Sequence, residues 1–420
     1  MPDASTTPAA PRHGLAAMAL VSLALFGNFY VYDSIGPVAE LLQRQLGFSD
    51  TQIGTLNAIY SLPNVVLILV GGILVDRFGA GRVFAWTAGV CFAGAVLTAA
   101  SPSFPVMAAG RLLYGVGAET FNIASLAAVT LFYPRRHTAL MMGITLGMGR
   151  AGSWVADLSP TIAAPAYARG WQGALALAAV VAATSFAASV AYHALERRAA
   201  PAGQAERQAQ PFSPRDLLGF GRPYWYLLVL CVLWYAVILA FRSTFAIKYF
   251  QHAHGLGLEE AGQINAHVFL AALFATPLFG WLCDRTGRHA ALQAFGALLL
   301  PASLLVMTRG YGLGVATVLI GVSYSLVPAA MWPLVSRLVA PSRFGTAIGL
   351  MWIVQNAGIA GANLVAGRLN DAAGASAANP AGYGPMMAFF TASSAAGCVF
   401  AVLLWARTRG REAVALSPAP

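Results

Sequence analysis

Two charged residues inside long apolar segments are the strongest candidates for chemistry in this sequence. Glu119 stands near the middle of the apolar stretch 105–133, and Arg150 near the middle of 138–165. A charge at the centre of a bilayer costs on the order of 2.5–3.5 kcal/mol, so a membrane helix keeps one for pairing or for function. A carboxylate accepts from an ammonium, and a guanidinium donates two parallel bonds to a carboxylate. The two residues therefore predict either a clamp for a solute with opposite charges at its ends or an ion pair with each other.

Further ionisable residues in apolar segments are candidates for coupling or gating. Asp33 predicts either a carrier of a coupling proton or a partner at a gate or helix end. Arg111 is equally compatible with a role in proton transfer and with a role in helix packing. Arg242 is expected to meet either the substrate or an acidic partner across the molecule, and Asp157 to pair within the helix bundle.

Polar and aromatic residues at middle depth are candidates for lining a central cavity. Each aromatic residue taken alone is more typical of packing. Two adjacent amides in one apolar helix, Gln355 and Asn356, are more informative because they need partners that a wet cavity supplies. The predicted substrate-lining set is Tyr32, Tyr60, Trp234, Tyr235, Tyr324, Trp332, Gln355 and Asn356.

The composition requires these residues to be positioned in a membrane. Of the 420 residues, 58% are hydrophobic and 10% are charged, whereas soluble domains are about 25% charged. A spanning helix takes roughly 20 apolar residues, so twelve spans nearly exhaust the length. The net charge of +10 does not indicate a nucleic-acid partner, since the basic residues fall in short clusters between apolar runs.

The apolar runs predict an all-α protein with twelve transmembrane helices in two six-helix halves. The predicted divisions are a cytoplasmic tail 1–14, a first half 15–194, a polar basic linker 195–223, a second half 224–407 and a cytoplasmic tail 408–420. The twelve spans are predicted at 15–38, 51–76, 83–101, 105–133, 138–165, 171–194, 224–250, 259–283, 291–308, 312–337, 344–369 and 383–406.

Charge bias predicts the orientation. With both termini in the cytoplasm, 17 of the 25 basic residues fall on the cytoplasmic side, five on the outer side and three inside spans. This distribution satisfies the positive-inside rule. Only one basic residue is a lysine, Lys248. We interpret the arginine-rich, alanine-rich composition as bacterial, which predicts a multi-pass protein of the inner membrane.

An internal repeat supports the two halves. GGILVDRFGAGR runs from the end of the second span into the loop after it, and GWLCDRTGRH does the same at the eighth. Their Gly, Asp, Arg and Gly match at an offset of 208 residues. Both stretches resemble the cytoplasmic loop motif of the major facilitator superfamily, whose plan is duplicated six-helix halves. The resemblance implies close helix packing at Gly72 and Gly280. It also implies that Asp76 and Asp284 lie near the N-terminus of a neighbouring helix, and that Arg77 and Arg285 pair with acidic groups or backbone carbonyls as a gate latch.

Other stretches resemble one branch of that superfamily, the lysosomal dipeptide uniporters. They include GRLLYGVGAETFNIA, LGMGRAGSWV and FGTAIGLMWIVQNAGIA. The resemblance implies that Glu119 receives the amino terminus of a dipeptide and that Arg150 receives its carboxylate. It implies transport by alternating access. Direction, ion coupling and an accessory subunit are left open.

Other functions remain as alternatives. The chain could carry another small charged solute, such as an organic anion bound by Arg150 and Arg242, or could be a membrane sensor that does not transport. The sequence has no P-loop, nucleophile elbow or metal-ligand cluster, so we expect neither an enzyme nor a cofactor or metal site.

Overall fold

The chain is helical through nearly all of its described length. The computed structural model describes residues 11–133, 135–199 and 219–415. Most of the predicted linker 195–223, and parts of the predicted tails 1–14 and 408–420, lie outside these ranges. The described helices extend into both tails, since the first begins at Pro11 and the last ends at Ala415.

The described part of the first half consists of nine helices, of which several combine into one span. They are α1 (Pro11–Asp33), α2 (Ile35–Leu46), α3 (Asp50–Ser61), α4 (Asn64–Phe78), α5 (Ala80–Ala100), α6 (Phe104–Phe132), α7 (Arg135–Ile162), α8 (Ala164–Ala168) and α9 (Trp171–Ala199).

The described part of the second half has seven α-helices, a π-helical turn at Phe241–Phe245 and 3₁₀ turns at Pro341–Arg343 and Pro380–Tyr383. The α-helices are α10 (Arg222–Ala240), α11 (Ala246–His254), α12 (Leu258–Thr286), α13 (His289–Thr308), α14 (Leu313–Leu338), α15 (Phe344–Ala372) and α16 (Gly384–Ala415).

Ten helices of the described chain are long and apolar enough to cross a membrane, with α1 and α2 counted as one and α10 and α11 as one. The two other predicted spans correspond to α3 with α4 and to α7. Of these, α3 and α4 have only 12 and 15 residues, and α7 is rich in polar residues. The fold is thus all-α and consistent with twelve crossings.

Three predicted spans contain breaks. The first span is interrupted at Ser34, whose hydroxyl donates to the Val31 carbonyl at 2.8 Å. The second is interrupted at Leu62 and Pro63, because proline cannot donate the backbone bond that would continue α3. The seventh contains the π turn, a feature that often marks functional sites. Each break lies beside a candidate site residue.

The two halves pack tightly on one side of the molecule. We name this the far side, and it carries the α2–α3 turn. The opposite side carries the α4–α5 turn, and we name it the terminal side. On the far side α3 contacts α15, and α2 contacts α11 and the π turn. A Cβ on Gly54 would lie 2.5 Å from the Asn363 carbonyl oxygen, and one on Gly367 would lie 2.5 Å from that of Asp50. Only glycine permits this approach of the two backbones.

The terminal side is more open. A Cβ built on Gly72 or Gly280 meets no atom of the described residues within 4 Å, and the same holds for Gly143 on α7. The close packing that the loop motif implies at Gly72 and Gly280 is therefore not formed among the described residues in this conformation, because the halves are separated there. Among the described residues, the central region is closed toward the far side, where the backbones of the two halves approach most closely.

Candidate functional site

Glu119 is a buried carboxylate near the middle of α6. Its side chain is 9% exposed. Its one described hydrogen bond comes from the amide nitrogen of Asn64 at the start of α4, 3.2 Å from Oε1. Within the described part of the chain, no basic side chain forms an ion pair with it. A buried carboxylate without a cation is costly, and no counter-charge among the described residues offsets that cost.

Asn64 joins Glu119 to the second half. The same Asn64 Nδ2 lies 3.3 Å from Oδ1 of Asn356 on α15, and Asn356 Nδ2 donates to the Trp352 carbonyl at 3.0 Å. Asn64 is fully buried, yet its Oδ1 has no hydrogen-bond partner among the described residues. The carboxylate therefore belongs to a polar cluster that spans both halves and retains an unused acceptor.

Arg150 also reaches the second half. Its Nη1 donates to the Ala272 carbonyl at 3.2 Å and to the Thr276 hydroxyl, both on α12. Its guanidinium carbon lies 5.4 Å from the ring centroid of Tyr324 on α14. None of these groups is acidic, and no described carboxylate pairs with Arg150. The alternative of a Glu119–Arg150 ion pair is therefore not adopted in this conformation.

Aromatic residues surround the region between the two charges. The ring of Tyr60 meets that of Tyr32 edge to face with centroids 4.8 Å apart and lies 5.4 Å from that of Tyr114. Tyr324 lies beside Arg150. Of these three predicted lining residues, Tyr324 contacts the other half through Arg150, and Tyr32 and Tyr60 pack on each other within the first half.

The other predicted lining residues belong to the second half. Trp234 is 1% exposed and donates to the Ser323 hydroxyl at 3.1 Å, and its ring meets Tyr235 edge to face. Gln355 Oε1 is 3.7 Å from the Cys231 sulfur on α10. Trp332 stacks on Trp352 with centroids 5.4 Å apart. Trp234 and Gln355 are thus held by groups of their own half, while Asn356 reaches across.

Arg242, in the π turn, forms a buried ion-pair cluster with both halves. Its Nη1 is 2.5 Å from Asp33 Oδ1 on α1, and its Nη2 pairs with Asp157 Oδ2 on α7. Asn265 of α12 donates to Asp157 Oδ1 at 3.0 Å. The guanidinium also lies 4.0 Å from the centre of the Phe269 ring. Of the two expectations for Arg242, the acidic partner across the halves is the one observed, and it accounts for Asp33 and Asp157 as well.

The guanidinium of Arg111 donates most of its hydrogen bonds to helix-backbone carbonyls. It donates to the carbonyls of Val31, Tyr32 and Leu56 at 3.1–3.2 Å and to Asn57 Oδ1 at 2.6 Å. Val31 and Tyr32 end α1, where carbonyls lose their helical partners. Arg111 therefore stabilises the break in the first span, in agreement with the packing interpretation.

The far side carries further contacts between halves that the sequence did not predict. Lys248 pairs with Asp50, whose backbone N–H donates to Asp371 at 2.8 Å. His252 Nε2 lies 2.7 Å from Glu40. Lys248 stood out only as the single lysine, and Asn64 was not singled out by the sequence. Partners so distant in sequence are identified only by the fold.

The loop-motif residues lie apart from these contacts. Asp76, Arg77, Asp284 and Arg285 are exposed on the terminal side. Arg77 lies over the ring of Phe78, and Arg285 over that of Trp281, its own helical neighbours. The described residues contain no ion pair at either motif, as expected where the halves are apart.

A polar, charged centre between two helical halves, closed on one side, defines a polytopic membrane carrier. The sequence matches the Major Facilitator Superfamily over residues 21–363. The chain belongs to this family of transporters, which confirms the predicted family and the prediction of a transporter rather than an enzyme.

Curated relatives include two substrate classes. The human protein named lysosomal dipeptide transporter MFSD1 is 28% identical over 384 residues, covering 87% of this chain and 82% of its own length. Its mouse counterpart is 29% identical over 385 residues with the same coverage. A probable nitrate/nitrite antiporter, NarK1 of Thermus thermophilus, is 25% identical over 304 residues, covering 70% of this chain and 66% of its own length. The predicted resemblance to the dipeptide branch is confirmed.

Solved structures support the fold. A bacterial homologue of the human lysosomal transporter Spinster, in an inward-facing and unoccupied conformation, superposes with a TM-score of 0.73 at 17% identity, covering 98% of this chain and 100% of that one. Its inward-facing and occupied form gives 0.72 at 17% identity, with 99% and 100% coverage. At this identity the likeness shows the major facilitator fold alone.

Proposed function

We propose that this protein transports dipeptides by alternating access, with Glu119 binding the peptide ammonium and Arg150 its carboxylate. The observation that carries the proposal is that neither charge meets an opposite charge within the described chain, although each lies near the middle of its helix. Glu119 has only a neutral amide donor there, and Arg150 has a carbonyl, a hydroxyl and a ring. Two such groups complement a zwitterion, because each charge supplies what the other end of the solute needs.

The geometry also supports broad side-chain selectivity. The charged groups sit on α6 and α7, each with contacts to the second half, and tyrosines occupy the space around them. A clamp of this kind binds the ammonium and the carboxylate at the two ends of the peptide, which all dipeptides share. The relatives named as dipeptide transporters favour the same substrate class.

A second candidate is anion transport, which the nitrate/nitrite relative favours. The anion hypothesis depends on Arg150 and Arg242. Arg242 already faces two carboxylates, so its charge is compensated, and Glu119 would repel an anion. Dipeptide transport accounts for Glu119 and anion transport does not.

The test is counterflow of a radiolabelled dipeptide in proteoliposomes. Glu119→Gln and Arg150→Ala each remove a charge-assisted hydrogen bond of about 1.5–3 kcal/mol. We expect apparent affinity for the dipeptide to fall by about tenfold or more in each variant. The matched controls are the exposed residues Glu259 and Arg169, substituted as Glu259→Gln and Arg169→Ala, which should transport normally.

Three outcomes would contradict the proposal. Wild-type dipeptide transport by either test variant would exclude the clamp. Saturable nitrate flux, lost in Arg150→Ala but kept in Glu119→Gln, would establish the anion carrier. Absence of flux for every solute, in protein that is folded and inserted, would support the sensor.

We propose further that the protein resides in a bacterial inner membrane with both termini in the cytoplasm. The supporting observation is the basic bias of the terminal side. With this orientation the open terminal side faces the cytoplasm, and the structure represents an inward-facing conformation. Uniport and proton-linked transport are both compatible with this arrangement.

A further inference from the structure

Glu119 is surrounded by more hydrogen-bond acceptors than an empty carrier uses. Asn64 is fully buried, and its Oδ1 has no partner among the described residues. Asn356 is 4% exposed, and the described bond to its Oδ1 is the 3.3 Å one from Asn64. A carbonyl oxygen has two lone pairs, so Asn356 retains one. Buried polar atoms are almost always satisfied in proteins, and unused acceptors beside an unpaired carboxylate indicate a missing donor.

The missing donor has a definite chemistry. A primary ammonium has three N–H groups and no acceptor. The cluster offers three kinds of acceptor oxygen: the Glu119 carboxylate, Asn64 Oδ1 and Asn356 Oδ1. One N–H for each of these three side chains therefore uses all three donors of a primary ammonium, and each methyl group on the amine would leave one side chain without a donor.

We infer that Asn64 and Asn356 complete the ammonium receptor and make this carrier selective for peptides with a primary amino terminus over those with a secondary one. The inference rests on the proposed function, since it assigns the ammonium to Glu119. Glu119 supplies charge and distinguishes an ammonium from a neutral amide. Each of the two asparagines accepts one N–H group of the ammonium. The site therefore distinguishes a glycyl peptide, which has three such groups, from a sarcosyl or prolyl peptide, which has two.

The arrangement also links substrate to closure. Asn64 and Glu119 belong to the first half and Asn356 to the second, and at present one shared amide nitrogen joins the three side chains. An ammonium bound to all three bridges the halves at mid-depth. A secondary amine lacks one N–H for this bridge, so its translocation should suffer as well as its binding.

The test compares glycyl-alanine with sarcosyl-alanine as competitors of dipeptide counterflow. We expect wild-type protein to prefer glycyl-alanine by about tenfold or more, because a site built for a substrate N–H rejects an analogue that lacks it. Asn64→Ala and Asn356→Ala should reduce this preference to about threefold or less, mainly by weakening glycyl-alanine. Asn356→Ser, which keeps an acceptor, should retain part of the preference.

Asn363→Ala is the matched control. Asn363 is a 1% exposed asparagine on the same helix, bonded to Thr244 on the far side instead of to this cluster. Whatever its substitution does to the transport rate, the preference for glycyl-alanine should stay as in wild type. If an alanine variant does not fold, Asn64→Ser and Asn356→Ser carry the comparison.

The outcomes separate this inference from the proposed function. If Glu119→Gln abolishes binding while the asparagine variants keep the full preference, the receptor contains Glu119 alone and the inference is overturned. It is also overturned if wild-type protein does not discriminate between the two peptides. If Glu119→Gln transports dipeptides normally, the proposed function itself fails.

Discussion

Arg242 compensates two buried carboxylates from the other half of the molecule. Its side chain is 1% exposed, and it pairs with Asp33 and Asp157. Removing one member of such a cluster leaves uncompensated charge, which typically costs about 3–5 kcal/mol. Arg242→Ala should therefore lower the melting temperature of the purified protein clearly below that of wild type.

The control is Arg309→Ala, at an exposed arginine beyond α13, which should melt like wild type. Adding Asp33→Asn and Asp157→Asn to Arg242→Ala should recover part of the loss, because neutral amides need no counter-charge. A wild-type melting temperature for Arg242→Ala alone would show that the cluster does not stabilise this conformation.

At the scale of single residues, the sequence identified the buried charged residues better than it identified the residues they pair with. Glu119, Arg150, Arg242, Asp33 and Arg111 stood out because an ionisable residue is rare in an apolar segment. Which of them pair depends on how the helices pack. In the Arg242 cluster, the paired residues lie 85 and 209 positions apart in the sequence. Asn64 was missed because one amide in an apolar run carries a weaker signal than a charge.

At the scale of helices, the sequence predicted the spans and missed their breaks. The interruptions at Ser34 and Pro63 and the π turn at Phe241–Phe245 fall within continuous apolar runs, and hydropathy does not register them. The breaks have local causes in the structure. Arg111 holds the carbonyls that end α1, and the π turn carries Arg242 into its cluster.

The contact of α3 with α15 gives a prediction about the far side. A Cβ on Gly54 would lie 2.5 Å from the Asn363 carbonyl oxygen, and backbone cannot swing aside as a side chain can. Gly54→Ala should therefore separate the halves there and populate conformations open to the far side. Spin labels at Arg44→Cys and Glu259→Cys, both exposed, should show a longer distance in this variant.

Gly72→Ala provides the control, because an added Cβ there meets no described atom within 4 Å. The far-side distance should then match that of the unsubstituted labelled protein. An unchanged distance in Gly54→Ala would mean that the helices adjust locally and that this glycine contact does not determine closure.

At the scale of the whole molecule, composition and the repeat were sufficient for the family and the fold. Few charges, apolar runs of membrane length and the duplicated loop motif all indicate the same architecture. The conformation was not predictable. A carrier adopts both far-side-open and terminal-side-open states with one sequence, so the pattern of residues is compatible with either. The ion pairs at Arg242 and Lys248, set against the open space around Gly72 and Gly280 in the described chain, distinguish the state seen here.

The orientation of that state can be tested on the whole chain. The sequence assigns seventeen basic residues to the segments predicted on the cytoplasmic side and five to the outer segments, which predicts cytoplasmic termini. A reporter enzyme whose disulfides form only in the oxidising periplasm should be inactive when fused after Ala415. Inserted in the α13–α14 turn at Gly310, on the far side, it should be active. An insertion in the α4–α5 turn at Gly79 should match the carboxyl-terminal fusion. An active reporter at Ala415 would invert the topology, and the terminal side would then face outward, with the Arg242 and Lys248 clusters closing the cytoplasmic side.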